Sequence, residues 1–378
     1  MDGDRVGEKL VMRSLLLGGY AVLLVAGGWN ATARADLLIG AAGPLTGSNA
    51  YVGEQMQQGV EAAVADINAA GGVLGEQLKL LVVDDACDGG QAVAVAGQLA
   101  ASGVAFVSGH LCSGTSISAS EVYEKAGIVQ ISPASTNPKL TELGRANVFR
   151  VCGRDDQQGV VAGAYLAEQW RDKKIAILHD GSVYGQGLAE ETRKELNRLG
   201  VTEAIFAAYT PGQSEYSGLV AKLRDAGIQV VYVGGYYQEA ALIIREARDN
   251  GYDLQLVSGD ATATDSFWQI AGRAGEGTLF TFFPDARRNP AARDVVERFR
   301  ELGTEPEGYT LFSYAAVQVW AEAAAKPGSA KLEPVIAALR SQEFDTVLGP
   351  ISFDAKGDPT KLGFVWYVWR NGAFVPKE

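Results

Sequence analysis

Apolar residues recur along this chain in two alternating spacings. Short runs such as Leu37 to Ala42 and Leu78 to Val83 are apolar at nearly every position, which is typical of strands buried on both faces. Between these runs, over 54–69, apolar residues are spaced three or four apart, which predicts an amphipathic helix. Strand, helix and strand then alternate repeatedly. The chain is therefore predicted to have an α/β fold with parallel sheets and helices on both faces.

The same alternation begins afresh after Arg150. Further strands are predicted at 104–108, 128–131, 148–151, 174–178, 203–208, 230–233, 255–258 and 366–369, and further helices at 91–102, 117–126, 159–169, 187–199, 216–226 and 238–250. We expect two doubly wound parallel-sheet lobes joined by three short hinge crossings, because no Pro-, Gly- or Ser-rich linker separates the halves. The first lobe is predicted to comprise 36–153 and 284–361, and the second 154–283 and 362–378.

The first 35 residues have the pattern of a secretory signal peptide. Arg13 precedes the apolar run from Leu15 to Val25, and Ala33-Arg34-Ala35 supplies small residues at a cleavage site. Met12 is an alternative start, because the residues before it are charged and contribute nothing to the signal. The other interpretation is a membrane anchor, although the run is shorter than the roughly 20 residues that span a bilayer. We therefore expect export to the periplasm.

The composition and net charge of the chain limit the kinds of molecule that it can bind. The chain of 378 residues is 47% hydrophobic, contains 46 glycines and has a formal net charge of −12. This composition indicates a well-packed globular protein. An acidic surface excludes nucleic acid and anionic lipid as favoured partners. We expect a monomer without a cofactor.

Three cysteines, Cys87, Cys112 and Cys152, are available for pairing in an exported chain. We favour a disulfide between Cys87 and Cys112, because each follows a predicted strand. Cys152 is interpreted as a buried small hydrophobic residue.

Ligands of doubly wound folds bind beyond the carboxyl ends of the strands, where helix N-termini offer free N–H groups. The segments that follow the predicted strands are 110–115, 133–136, 179–185, 234–237 and 258–260. They are rich in hydroxyls, glycines and tyrosines, with one acid, Asp260, and no basic cluster. That combination suits a zwitterion: hydroxyls and N–H groups for a carboxylate, an Asp for an ammonium, and aromatic rings for the remainder.

Signals for catalysis are weak. Gly185-Gln186-Gly187 is similar to a dinucleotide-binding turn, but Glu190 replaces the third glycine and would repel a pyrophosphate. The segment Gly109 to Gly114 has the spacing of a phosphate loop without its Lys, and no Gly-x-Ser-x-Gly turn occurs. His110 and His179 have no partners at metal-ligand spacing. We predict that the chain is not an enzyme and holds no metal.

At these segments the sequence resembles the branched-chain amino acid binding proteins of ABC transporters, within the type I periplasmic binding protein fold. The resemblance covers essentially the whole chain after residue 35. It is strongest at GPLTG (43–47), ADINAAGG (65–72), DDACD (84–88), QAV (91–93), GHLCS (109–113), SPAST (132–136) and YAA (314–316).

The resemblance implies roles for individual residues. Ser113 and Thr136 would bind the ligand carboxylate, while the Ala134 carbonyl and Asp260 would bind its ammonium. Tyr184 and Tyr236 would reach across from the second lobe, Tyr309 would line the side-chain pocket, and the Cys87–Cys112 bridge is supported. The complete candidate ligand-binding set is Cys112, Ser113, Ala134, Ser135, Thr136, Tyr184, Tyr236, Asp260 and Tyr309.

Two departures blur the specificity for the side chain. Asp260 stands where close relatives of the leucine-binding type carry Glu, and Val52 replaces the aromatic residue expected before Gly53, with Tyr51 one place early.

Each role has a plainer alternative. Ser113 and Thr136 could serve only as helix N-caps, Asp260 could only form a turn, and the tyrosines could be core or rim residues.

The implied function is capture of a branched-chain or other aliphatic amino acid for delivery to an ABC permease. The alternatives are a protein of the same fold for another solute, such as an amide, urea, or another neutral or aromatic amino acid, and a ligand-sensing module.

Overall fold

The computed structural model describes residues 36–377, which belong to one compact unit, Ala35–Glu378. The predicted signal peptide lies outside the described residues. Within 36–377, no helix combines the length and the apolar character needed to cross a membrane.

The predicted alternation of strands and helices is present along the described chain. The strands are β1 (Leu37–Gly43), β2 (Leu78–Asp84), β3 (Phe106–Gly109), β4 (Val129–Ser132), β5 (Val148–Arg150), β6 (Ile175–His179), β7 (Ile205–Ala208), β8 (Val230–Gly234), β9 (Gln255–Ser258), β10 (Leu279–Phe282), β11 (Phe344–Thr346), β12 (Gly349–Ile351), β13 (Val365–Arg370) and β14 (Ala373–Pro376). The helices are α1 (Ala50–Ala69), α2 (Gly89–Ala101), α3 (Ser113–Ala126), α4 (Lys139–Glu142), α5 (Asp155–Gln169), α6 (Val183–Arg198), α7 (Ser217–Asp225), α8 (Tyr237–Asp249), α9 (Asp265–Ala271), α10 (Arg293–Glu301), α11 (Thr310–Ala325) and α12 (Leu332–Ser341).

The first lobe is built on a five-stranded parallel sheet in the order β2-β1-β3-β4-β5. Helix α11 returns from a distant part of the chain and packs against α1 and β3. Its Trp320 is fully buried and stacks on Phe106 of β3 with ring centroids 5.0 Å apart. At the α1 contact, a Cβ atom on Gly59 would lie 2.0 Å from the Thr310 carbonyl oxygen, so only glycine permits this approach.

The second lobe contains a seven-stranded sheet in the order β14-β13-β10-β9-β8-β6-β7. The predicted strands β6 to β9 are parallel, as expected, and so is β10, a strand that was not predicted, whereas β13 pairs antiparallel with both β10 and β14. Asn371 and Gly372 connect β13 to β14 with φ of 50° and 88°. Asn-Gly with positive φ at both positions is the preferred two-residue hairpin turn. The expectation of purely parallel lobes is therefore corrected at this edge.

The chain crosses between the two sheets three times: after β5, after β10 and before β13. Near these crossings a Cβ atom on Gly153 would lie 2.8 Å from the Phe364 ring and 2.9 Å from the Phe283 ring. The residue-level boundaries of the lobes remain a prediction.

Four helices begin four residues earlier than the apolar pattern predicts. Helix α1 begins at Ala50 instead of 54, α3 at Ser113 instead of 117, α5 at Asp155 instead of 159, and α6 at Val183 instead of 187. Their first turns contain mostly polar or small residues, so they carry no apolar periodicity. As a result, several segments interpreted as loops are helix N-termini that face the gap between the lobes.

Candidate functional site

A cavity lies between the two lobes at the carboxyl ends of the strands. The space between its lining atoms is about 310 Å³. The centre of a water molecule can reach only about 20 Å³ of this space. The lining residues are Val52, Leu111, Ser113, Ala134, Tyr184, Tyr236, Asp260, Ala261 and Tyr309. The space left in this closed arrangement is small, so the cavity suits only a small ligand.

Asp260 is the acidic group of this cavity. It follows β9 in the second lobe and its side chain is 3% exposed. The Tyr184 hydroxyl donates to Asp260 Oδ1 at 2.9 Å, and the Tyr309 hydroxyl donates to Oδ2. Burial raises the pKa of Asp260, and the hydrogen bonds from the two tyrosines oppose this rise. No Lys or Arg lines the cavity, so a cationic group of a ligand would supply the missing counter-charge.

Ser113 stands on the opposite wall, in the first lobe. It is the first residue of α3, is 2% exposed, and accepts a 3.3 Å hydrogen bond at Oγ from the Asn137 N–H. The N-terminus of a 14-residue helix offers free N–H groups to an anion. This wall is therefore suited to a carboxylate.

Thr136 is fully buried and does not line the cavity itself. Its hydroxyl oxygen has no hydrogen-bond partner. Its carbonyl oxygen accepts a 2.9 Å hydrogen bond from the N–H of Asp155, the first residue of α5. Thr136 thus stands behind the cavity wall, next to the first crossing between the lobes.

Asp155 is a candidate that the sequence reasoning missed. Its carboxylate is fully buried, lies beside the Thr136 hydroxyl, and has no hydrogen-bond partner at either oxygen. Burial, followed by the charge of Asp260, raises the pKa of Asp155 well above its ordinary value. The only signal in the sequence was an acidic pair, Asp155-Asp156, at the place where a helix could begin.

Ser135 and Cys112 have structural contacts and do not line the inner cavity. The Ser135 hydroxyl lies 2.7 Å from Ser116 Oγ and donates to the Leu111 carbonyl oxygen at 2.9 Å. Cys112 forms the predicted disulfide with Cys87, with Cα atoms 5.6 Å apart. Cys152 is free and fully buried. These groups hold the loops that carry Ser113 and Thr136.

Aromatic rings form the rest of the enclosure. The ring centroids of Tyr184 and Tyr236 are 5.3 Å apart, and Tyr309 packs edge-on against Phe282 at 5.6 Å. Val52 lines the cavity at the place where an aromatic residue was expected.

The lobes touch on both sides of this cavity. Asn137 Nδ2 of the first lobe donates to the Val183 carbonyl oxygen of the second at 2.8 Å. The Tyr237 hydroxyl of the second lobe donates to the Ser48 carbonyl oxygen of the first at 3.2 Å. The Tyr309–Asp260 contact also joins the lobes. Together these contacts describe a closed arrangement.

Outside the inner cavity lies a larger space of about 980 Å³ between the lobes. Tyr184 and Tyr236 line both spaces, so their rings stand between the inner cavity and the cleft mouth. The disulfide lines only the outer space, on the side of the first lobe.

The two histidines are accounted for by structural contacts. His110 is fully buried, with Nδ1 2.6 Å from Asp85 Oδ2 and Nε2 2.9 Å from the Tyr123 hydroxyl. His179 Nδ1 accepts a 3.2 Å hydrogen bond from the Gly181 N–H. Over the described range 36–377, no group of three or more His, Cys, Asp or Glu side chains is placed to hold a metal ion.

Two lobes that close on a small cavity point to a binding protein, and comparison with known proteins decides the family. The family model described as periplasmic binding protein matches residues 37–370. The chain belongs to the periplasmic binding protein family. The predicted two-lobed α/β fold is confirmed, and the family is one of binding proteins, in agreement with the prediction that the chain is not an enzyme.

Close relatives of this periplasmic binding protein cover nearly its whole length. The Leu/Ile/Val-binding protein homolog 1 of Brucella suis biovar 1 is 48% identical over 363 residues, which are 96% of this chain and 98% of that protein. The leucine-, isoleucine-, valine-, threonine-, and alanine-binding protein of Pseudomonas aeruginosa is 38% identical over 356 residues, which are 94% of this chain and 95% of that protein. The predicted resemblance to branched-chain amino acid binding proteins is confirmed.

Solved structures support the same relationship. The leucine binding protein LivK from Thermotoga maritima superposes with a TM-score of 0.83 and 26% identity over 90% of this chain and 98% of that one. LivJ from Streptococcus pneumoniae, a branched-chain amino acid transporter substrate binding protein in complex with isoleucine, gives a TM-score of 0.82 and 27% identity over 90% of this chain and 100% of that one.

Proposed function

We propose that this periplasmic binding protein captures branched-chain or other aliphatic L-amino acids between its lobes and delivers them to an ABC permease. One observation carries the proposal: Ser113 of the first lobe and Asp260 of the second face one apolar cavity. An anion-binding helix N-terminus opposite a carboxylate matches the two charged ends of an amino acid.

The charged ends would be neutralised as follows. The α-carboxylate binds to the Ser113 hydroxyl and the N-terminus of α3, with Thr136 behind them. The α-ammonium binds to Asp260 and the Ala134 carbonyl.

The side chain would occupy the apolar part of the cavity. Val52, Leu111 and Ala261 supply aliphatic surface, and Tyr236 and Tyr309 close the sides. Compared with an aromatic residue, Val52 leaves more room, and Asp260 reaches less far than Glu. Aliphatic side chains of moderate size suit this lining, because each buried CH₂ group contributes about 0.8 kcal/mol.

Closure couples binding to delivery. The ligand favours the closed form because only there does it touch Ser113 and Asp260 together. Closure also removes water, which strengthens each charge-assisted hydrogen bond. The permease would then recognise the closed outer surface.

Export and assembly complete the proposal. Residues 1–35 would serve as a cleavable signal peptide, and membership of a periplasmic family supports that location. The two lobes would comprise 36–153 with 284–361 and 154–283 with 362–378. The protein would act as a monomer that does not bind nucleic acid, in keeping with its net charge of −12.

A calorimetric ligand panel tests this function. Leucine, isoleucine and valine should bind with a stoichiometry of one. Acetamide, urea, glutamine and phenylalanine serve as representatives of the competing solute classes. If one of these four bound and the three aliphatic amino acids did not, the aliphatic assignment would be wrong.

A further inference from the structure

A second groove between the lobes, separate from the inner cavity, contains a buried carboxylate. The groove has about 620 Å³ of space and is lined by Tyr51, Glu54, Gln55, Gln58, Asp265, Gly303, Thr304, Glu305 and Glu307. Glu307, just before α11 in the first lobe, is only 4% exposed. This groove shares no lining residue with the proposed amino acid site.

Donors from both lobes converge on Glu307. From α1 of the first lobe, the Tyr51 hydroxyl donates to Oε1 at 2.8 Å and Gln55 Nε2 donates at 3.1 Å. From the second lobe, the Thr264 hydroxyl donates to Oε1 at 3.3 Å, and the Asp265 N–H donates to Oε2 at 2.8 Å. Opening the lobes would withdraw the second pair of donors and expose the carboxylate to water.

We propose that Glu307 is an inter-lobe latch, which sets the free energy of closure, and thereby ligand affinity, without touching the ligand. In its neutral form Glu307 accepts the hydrogen bonds from both lobes and donates its own proton to the neighbouring Asp265 carboxylate. In its ionised form the two carboxylates repel each other across the lobe boundary. The latch therefore holds the lobes together when Glu307 is protonated and weakens when it ionises.

The charged surroundings of Glu307 favour the neutral form. Asp265 faces it from α9, Glu54 lines the groove from α1, and Glu305 lines it from the same connecting segment as Glu307. The nine lining residues include no Lys or Arg. Burial, followed by the charge of Asp265, raises the pKa of Glu307 to about 7. An open cleft returns this pKa toward its ordinary value of 4.5.

The sign of the pH effect follows from these two values. The closed form binds the proton more tightly, so protonation stabilises closure, and this stabilisation is lost as the pH rises through 7. With pKa values of about 7 closed and 4.5 open, linkage predicts that affinity for leucine strengthens by up to about 30-fold between pH 8 and pH 5.5. This prediction uses leucine because of the proposed function.

Glu307→Gln tests the latch directly. A glutamine has the shape of the neutral acid: its oxygen accepts from Tyr51, Gln55 and Thr264, and its amide donates to the Asp265 carboxylate, while the bond from the Asp265 N–H to Oε2 is lost. The variant should therefore bind leucine with nearly the same affinity at pH 8 as at pH 5.5, and more tightly than the wild type at pH 8. The difference between the pH profiles of leucine affinity for the wild type and for Glu307→Gln isolates the contribution of Glu307, because every other titrating group is common to both proteins.

Glu305→Gln is the matched control. Glu305 lines the same groove, but it is paired within its own lobe with Arg300 at 2.7 Å and with Arg287 at 3.1 Å. Its pKa is lowered, mainly by the hydrogen bond from Arg300. The Glu305→Gln variant should therefore show the same pH dependence of leucine affinity between pH 5.5 and 8 as the wild type.

A measurement without ligand separates the latch from the proposed function. Nitroxide labels at Glu61→Cys on α1 and Gln269→Cys on α9, both exposed positions, report the distance between the lobes by pulsed electron paramagnetic resonance. At pH 5.5 the fraction of molecules with the short distance of the closed form should be smaller in Glu307→Ala than in the wild type. In Glu307→Gln this fraction should persist.

The outcomes are distinct. Identical distance distributions for the wild type and Glu307→Ala at pH 5.5 would overturn the latch, as would parallel leucine profiles for the wild type and Glu307→Gln. Absence of leucine binding at every pH would contradict the proposed function, while the distance measurement would still decide the latch.

Discussion

Replacing Asp260 with Asn provides the most direct test of the proposed amino acid site. The substitution keeps the shape of the side chain and one oxygen acceptor for the two tyrosine hydroxyls. It removes the negative charge that would pair with the α-ammonium. Because Asp260 is 3% exposed, water cannot replace the lost charge.

The expected magnitude follows from the surroundings of Asp260. Removing one partner of a buried, hydrogen-bonded charge pair costs about 2–5 kcal/mol. The substitution leaves an oxygen acceptor for the Tyr184 and Tyr309 hydroxyls, so no buried donor loses its partner. We therefore expect the lower part of the range, about 2–3 kcal/mol, which weakens leucine binding about 30- to 150-fold.

Isothermal titration calorimetry at pH 7.5 measures this loss, and thermal unfolding of the ligand-free protein checks the fold. Burial raises the pKa of Asp260, so its ionisation reduces the stability of the folded chain as the pH rises through that pKa. The Asn variant should therefore unfold at the same or a higher temperature.

Asp253→Asn is a charge-matched control, because Asp253 is fully exposed and paired only with Arg248 in the same lobe. Leucine affinity should not change in this variant. If Asp260→Asn bound leucine as tightly as the wild type, Asp260 would not contact the ammonium and the proposed site would be wrong.

Three other predictions address the surroundings of the site. Asp155→Asn should raise the melting temperature at high pH, because burial raises the pKa of Asp155 and ionising it destabilises the folded wild type as the pH rises; an unchanged pH dependence of unfolding would contradict this. Reducing the Cys87–Cys112 bridge, with its sequence separation of 25, should lower the free energy of unfolding by about 3 kcal/mol in urea titrations, and an unchanged midpoint would refute it. Gly59→Ala should lower the free energy of unfolding by about 2 kcal/mol or more, because the added methyl group clashes with the facing helix. Gly97 has open space around it, so Gly97→Ala should be neutral or stabilising by up to about 1 kcal/mol. Equal effects of the two substitutions in denaturant unfolding would disprove the packing argument.

Errors in the predicted helix boundaries explain why one candidate was missed. The strands that were predicted were placed within about two residues, because their apolar runs are continuous, whereas the buried strand β10 was missed. The first turns of α3, α5 and α6 escaped detection because their mostly polar or small residues have no apolar periodicity. Asp155 lies in one of these turns, and its burial comes from chain segments that no local pattern relates to it.

Strand direction at the edge of the second sheet also could not be predicted from local apolar spacing. The pattern at 366–369 predicted a strand, but its antiparallel direction depended on the third crossing between the lobes and on the Asn-Gly hairpin. Strand direction follows from connectivity in three dimensions, whereas apolar spacing is the same for either direction.

Local patterns in the sequence alone determined the α/β alternation, the restart after Arg150 and the choice of Cys87 and Cys112 as a pair, because buried strands and amphipathic helices each have their own residue spacing. Only the tertiary structure decided that Ser113 and Asp260 face one cavity, that Thr136 lies behind its wall, and that Glu307 meets Asp265 across a second groove. The pairs Ser113–Asp260 and Asp265–Glu307 join residues more than 40 positions apart, and they meet only when two lobes, connected by three crossings, close against each other.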